Sequence, residues 1–213
     1  TLSNTTAAFR ASGGCQDTDD NAADFAAAVP APRTLLTPIA FCTPPTPHLA
    51  ISQVYGGGGN SGATYKNDFI ELFNRGTVAV NLGGWSVQYA AATGTGAWTQ
   101  TPLTNVTLQP GQHYLVQEAQ GAGGTVDLPT PDATGTTPMA AGSGKVALVS
   151  STLPLNGQCP TDSSIADVVG YGTANCSETS PAPTLTNTTA GLRKNGGCVD
   201  TGDNSADVVS GSP

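Results

Sequence analysis

Residues 48–74, HLAISQVYGGGGNSGATYKNDFIELFN, limit the possible folds more than any other stretch. Two short apolar segments flank a loop with four consecutive glycines. In the first, Leu49 and Ile51 point one way and Ala50 and Ser52 the other. In the second, Ile70 and Leu72 share a face opposite Glu71. A period of two with β-branched and aromatic residues predicts two strands. The loop GGGGNSG has no GK[ST] ending and no helix after it, so it is not a phosphate loop. Its glycines serve positive φ or close packing.

The same pattern recurs along the chain. Residues 78–82, 85–89, 104–108, 113–117, 146–149, 165–171 and 184–194 read as strands between glycine and proline turns. Trp85, Val87 and Tyr89 alternate with Ser86 and Gln88, which predicts a strand buried on one face. Residues 121–144 read as a long loop, a common place for binding surfaces. Short strands at this spacing predict an all-β sandwich.

The opening stretch, followed by NLGGWSVQY at 81–89, resembles the start of a bacterial lamin tail domain. The resemblance continues through LQPGQHYLVQ (108–117), LPTPDATG (128–135), GKVALVSS (144–151), VVGYGTANC (168–176) and TNTTAGLRKNGGCVDTGDNSADV (186–208). It implies an immunoglobulin-like β-sandwich. Bacterial members are secreted or surface modules, often several per chain and often beside a nuclease domain. The family is a recognition scaffold, so the resemblance implies a fold and no enzymatic activity.

Residues 1–24, TLSNTTAAFRASGGCQDTDDNAAD, align without a gap with residues 184–207, TLTNTTAGLRKNGGCVDTGDNSAD. Sixteen of 24 positions are identical, at an offset of 183. The closing segment of the sandwich is thus present twice. Such a repeat implies tandem units, or an arm that pairs with a neighbouring subunit by strand addition. Head-to-tail contacts of that kind need not close. A third reading is a duplication relic that packs on its own domain. Residues 26–47 carry Pro30, Pro32, Pro38, Pro44, Pro45 and Pro47 and read as an extended linker. The expected organisation is an N-terminal arm over 1–47 and a sandwich over 48–213. The apolar anchors expected to carry assembly are Leu2, Phe9, Leu35, Leu36, Ile39 and Phe41.

Composition excludes several function classes. Lysine and arginine number seven, scattered from Arg10 to Lys194, against 15 acidic residues, for a net charge of −8. No basic stripe exists to release counter-ions from phosphates, so direct nucleic-acid binding is not expected. No apolar run is long enough to span a bilayer. No leader segment precedes Thr1, so it has been removed or the chain belongs to something longer. Five cysteines, with sequons at Asn4, Asn105, Asn175 and Asn187, suggest an oxidising, extracellular or cell-surface setting.

Cys159 and Cys176 bracket the strand at 165–171 and are expected to pair. One 183-residue period holds four cysteines, which predicts Cys15–Cys42 as the second pair. Cys198 then awaits a partner in another unit, or is a free thiol. DTDDNAAD and DTGDNSAD resemble calcium loops, with Asp17, Asp19, Asn21, Asp24, Asp200, Asp203, Asn204 and Asp207 as oxygen donors. The EF-hand glycine and glutamate are missing, and Asp and Asn also build turns through their own backbone. No other cofactor is expected. His48 and His113 lack a serine–histidine–aspartate order and read as structural. Glu71 reads as a structural strand carboxylate.

The chain is therefore expected to be a non-catalytic, secreted or cell-surface structural module. Its partners are copies of itself or neighbouring repeats, in a strand-addition filament or a tandem array. The alternative is an accessory binding domain of a larger secreted enzyme such as a nuclease. A weaker alternative is a calcium- or glycan-binding module.

Overall fold

The structure, a computed structural model, describes residues 2–11, 14–15, 18–32, 34 and 48–213. It divides into two units, Thr1–Thr46 and Pro47–Pro213.

In the first unit, β1 (Ala7–Arg10) and β2 (Phe25–Ala28) form an antiparallel hairpin, with Ala7 opposite Ala28 and Arg10 opposite Phe25. The one-turn helix α1 (Asn21–Asp24) leads into β2, and the Asp20 carboxylate caps it by accepting from the Ala22 N–H. Residues 26–28 are thus strand, where proline spacing predicted linker. Three alanines and an aromatic pair well enough with β1 to hold this hairpin before the prolines begin.

The second unit continues with β3 (Leu49–Tyr55), β4 (Asn67–Asn74), β5 (Val80–Asn81), β6 (Ser86–Ala91) and β7 (Thr99–Pro102). Then come β8 (Thr107–Leu108), β9 (His113–Gln120), β10 (Ala133–Thr134), β11 (Gly144–Val149) and β12 (Ile165–Tyr171). The chain ends with β13 (Ala190–Arg193), the one-turn helix α2 (Asn204–Asp207) and β14 (Val208–Gly211). Six strands form one sheet in the order β10-β9-β4-β3-β13-β14, and four form another in the order β12-β11-β6-β7. β5 and β8 make a small separate ladder.

The core lies between the two large sheets. Ile51, Val54, Ile70, Leu72, Tyr114 and Val116 come from one, and Val87, Tyr89, Val146, Leu148, Val169 and Tyr171 from the other. The expected all-β sandwich is the observed fold. Strict alternation in β3 would place Gln53 beside Ile51 in the core. Instead the ladder shifts between Ile51 and Gln53, and this bulge turns Val54 inward and Tyr55 outward. The Ser52 hydroxyl at the bulge donates to the Glu71 carboxylate at 2.7 Å.

β6 differs from expectation. Ser86 and Gln88 are as buried as Val87 and Tyr89. The loop at 151–155 covers their face. Ser86 Oγ donates to Ser151 O, Gln88 Nε2 donates to Leu153 O, and Gln88 Oε1 accepts from the Leu155 N–H. Both faces are dry, and the polar side chains bond loop backbone, as buried polar groups must.

The glycine loop after β3 is a close-packing device. A Cβ on Gly58 would stand 1.9 Å from the Asn67 carbonyl carbon, and Gly59 has φ +68°. The Gly58 N–H donates to Asp68 Oδ1, and Asp68 Oδ2 accepts from Met139 N–H. Burial pushes this carboxyl up to about 7.

Candidate functional site: the closing hairpin and its two copies

β13 and β14 form the last hairpin of the six-stranded sheet, with Ala190 opposite Gly211 and Arg193 opposite Val208. β13 pairs on its other side with β3, where Gly191 meets Val54 and Leu192 meets Gln53. Three polar side chains fasten the hairpin to the rest of the sandwich.

Arg193 is fully buried. Its Nε donates to Ile51 O at 2.9 Å, its NH1 to Val199 O at 3.2 Å, and its NH2 to Asp167 Oδ2 at 2.7 Å. Asp167 Oδ2 also accepts from the Ile51 N–H at 2.6 Å, while its Oδ1 is buried without a hydrogen-bond partner. Burial pushes Asp167 up to about 6, against the opposing pull of Arg193. Asp200 accepts from Arg75 at 2.7 Å and lies 3.4 Å from Arg193.

Asn204 closes the edge of the other sheet. Its Oδ1 accepts from the Gly170 N–H at 2.9 Å and the Glu178 N–H at 3.2 Å. Its Nδ2 donates to Val168 O and Glu178 Oε2, both at 2.9 Å. A primary amide presents a donor and an acceptor side by side, so it stands in for a neighbouring strand along β12. Glu178 beside it is pushed up to about 7, first by burial and then by the Asp167 charge.

Local bonds shape the hairpin itself. Asp207 accepts from Thr201 N–H at 2.7 Å and Thr201 Oγ1 at 2.8 Å. Asp203 caps α2 by accepting from Ser205 N–H at 3.1 Å. The Thr186 N–H donates to Thr189 Oγ1 at 2.9 Å. Every one of these recurs in the first unit at an offset of 183. Asp24 accepts from Thr18 N–H and Thr18 Oγ1, both at 2.8 Å, Asp20 caps α1, and the Ser3 N–H donates to Thr6 Oγ1 at 2.8 Å. Arg10 lies 3.5 Å from Asp24, as Arg193 lies 3.7 Å from Asp207. The register of β1 with β2 equals that of β13 with β14. β1 and β2 are therefore a second closing hairpin in three dimensions.

The expected site residues fall out as follows. Of the apolar anchors, Leu2 is exposed and Phe9 half-buried in the first unit; Leu35, Leu36, Ile39 and Phe41 lie outside the described residues. The Cys159–Cys176 disulfide is formed and Cys198 is an exposed free thiol. Cys42, the expected partner of Cys15, lies outside the described residues, as does Asp17. Asp19 and Asn21 are exposed. Asp24, Asp203, Asn204 and Asp207 make the turn, cap and edge bonds described above. Glu178, Asp200 and Asp207 each bring an oxygen within 4.8 Å of the others, with Arg193 alongside. The arrangement is a charge network around an arginine, built chiefly from bonds to protein donors.

His113 lies 3.1 Å from Glu71, which also accepts from Gln53 at 3.2 Å. His48 contacts Arg75 and lies 3.9 Å from Asp200, and burial lowers its pKa. β14, Asp167 and Glu178 were not found from sequence. The sequence presents Arg193 only as one position of the repeat. The available signal was the identity of Arg10 with Arg193 and Asp24 with Asp207.

The comparisons with known proteins agree with this architecture. The Lamin Tail Domain family pattern matches residues 43–201. No curated protein matches. Among solved structures, a DUF4876 family protein from Bacteroides thetaiotaomicron superposes with a TM-score of 0.51 at 12% sequence identity, covering 76% of this chain and 70% of that one. At that identity the likeness concerns the fold. The family pattern spans well over half of the residues, from ahead of β3 through β13 to Asp200, and the chain belongs to the lamin tail domain family.

Proposed function

We propose that this chain is a non-catalytic structural module, secreted or displayed at a cell surface, whose units join head to tail. One observation carries the reading. The closing hairpin of the sandwich occurs twice, with the same register, caps and threonine–aspartate bonds, and the first copy belongs to a unit separate from the sandwich. A spare closing element is of use where a second sandwich receives it, and internal repeats of this kind mark arrays.

Two further features support the reading. The grouped carboxylates hold turns and strand edges, which suits a scaffold. The Cys159–Cys176 bridge fits an oxidising compartment, and few charged groups cover the surface, as in many extracellular β proteins.

Electron microscopy of native material, with a non-reducing gel, tests the proposal. Filaments or beaded chains with a repeat of one sandwich are the expected result. Monodisperse particles near 21.2 kDa would refute it.

A further inference from the structure

We infer that the hairpin β1–β2 is a docking element for a second lamin tail sandwich, the unit that precedes this one in a tandem array, and that Leu2 and Asn21 are its specificity contacts. This rests on the reading of the chain as a head-to-tail module and adds the surface and the residues that make the joint.

The argument compares the two copies where they differ in surroundings. Leu185 is 2% exposed because it sits in the sandwich core, whereas its counterpart Leu2 is 55% exposed. Asn204 is fully buried on the edge of β12, and its counterpart Asn21 is exposed. Ala190 is fully buried and Val208 nearly so, while Ala7 and Phe25 are half-buried. The first unit thus presents to solvent the side chains that the second unit uses to grip β3 and β12. Among the described residues β1 pairs with β2 alone, and Ala8 and Phe9, the counterparts of the Gly191 and Leu192 that meet β3, pair with no third strand.

The glycines separate contacts within the hairpin from contacts across the joint. The atoms nearest a Cβ on Gly191 belong to Val208 and Leu185, and those nearest one on Gly211 belong to Leu192. All of these belong to the closing segment itself, which can adapt as a piece, and the first copy has Ala8 and Ala28 there. A Cβ on Gly197 would stand 2.8 Å from the ring of Phe73, which belongs to the receiving sandwich. There the first copy keeps Gly14. Its φ of +111° also favours glycine, and among the described residues nothing lies within 4 Å of where its Cβ would be. The space over Gly14 is the space that the Phe73 ring fills over Gly197.

The receiving partner must have an empty slot. In this sandwich β13–β14 already fills the place beside β3, and a covalently tethered element competes at an effective concentration on the order of millimolar. A free hairpin from another molecule does not displace it. The sandwich that fits is an upstream unit whose own closing segment is residues 1–30, at the period of 183 given by the repeat.

The test places a second copy of residues 31–183 directly ahead of Thr1 of the full chain, so that the junction reproduces Pro183–Thr184. Amide exchange by mass spectrometry then compares the two hairpins. The expected result is that amides of Ala7–Arg10 slow by about 100-fold relative to the 213-residue chain, because β1, paired there with β2, becomes an inner strand of a larger sheet through Ala8 and Phe9. Asn21→Ala or Leu2→Asp in the extended chain reverses that protection and leaves Ala190–Arg193 unchanged. A second readout is an engineered disulfide between Ala8→Cys and Val54→Cys of the upstream copy, the pair that mirrors Gly191 and Val54.

Unchanged exchange at β1, together with no cross-link, overturns the inference. So does protection that neither substitution affects, since the hairpin would then rest on some other surface. Oligomers of the unextended chain that Asn21→Ala dissolves would move the partner to a second copy in trans and overturn the tandem assignment. Monodisperse single particles by microscopy refute the head-to-tail function but leave this exchange experiment to stand or fall by itself.

Discussion

Replacing Asn204 with alanine removes four hydrogen bonds from a fully buried side chain. Two of the abandoned groups, the Gly170 N–H and the Val168 carbonyl, lie on the edge of β12 and would face a methyl group. A buried backbone group left without a partner costs about 1–3 kcal/mol. The two groups on Glu178 are half-exposed, recover water and cost less. The sum is about 3 kcal/mol. Asn21→Ala removes the same amide from the first hairpin, where it is exposed, and is expected to cost less than about 0.5 kcal/mol in the 213-residue chain. Urea unfolding followed by Trp85 and Trp98 fluorescence measures both. With a slope of about 2 kcal/mol per molar urea, Asn204→Ala lowers the midpoint by about 1.5 M and Asn21→Ala leaves it in place. A loss below about 1 kcal/mol for Asn204→Ala would show that water replaces the amide along β12, and the edge-capping argument would fail. Equal losses for both variants would show that Asn21 is already engaged, which contradicts its exposure.

Acid is expected to stabilise the sandwich between neutral and mildly acidic pH. Burial raises Asp68 and Glu178 to about 7 and Asp167 to about 6, whereas all three titrate near 4 when unfolded. The native state therefore holds more protons between those limits. The contribution is fully present below about pH 4 and is lost as pH rises through about 6–7. A Tm that is higher at about pH 5 than at about pH 8 is the expected result, and a Tm that rises with pH over that interval contradicts the assignment. Lys145→Met should cost about 1–3 kcal/mol in the same urea assay. The buried ammonium donates to Gly94 O, Gln158 O and Asn175 Oδ1 and lies 5.2 Å from the Trp98 ring, so it ties together the loops joined by the Cys159–Cys176 bridge. A neutral outcome would show that these acceptors rehydrate without loss.

The parts of the fold that were legible are those decided within a few residues. Ile70 and Leu72 face the core because a strand alternates, and the Cys159–Cys176 pair follows from a single strand between two loops. The bulge at Ser52 was not legible, because it answers to Glu71 on the neighbouring strand. Ser86 and Gln88 looked like a solvent face because a side chain that bonds loop backbone has the same chemistry as one that bonds water. The covering loop is more than 60 residues away in sequence, and no local signal points to it.

The duplicated hairpin makes the same distinction inside one molecule. Sixteen shared identities are folded twice, once in the sandwich unit and once in the first unit. The strand register, the Asp20 and Asp203 caps, the Ser3 and Thr186 turns and the Thr18 and Thr201 bonds to aspartate are the same in both. These depend on residues at most six apart, apart from the register they enforce. They are what DTDDNAAD and DTGDNSAD encode, and a run of acidic and amide side chains that can suggest an ion loop is also what such a turn requires. What differs between the copies is the burial of Leu2 against Leu185 and of Asn21 against Asn204. Those differences belong to the receiving strands, not to the hairpin. In the proposed joint the hairpin is a preformed part, and the little conformational freedom it would lose on docking is what would suit it to join one sandwich to the next.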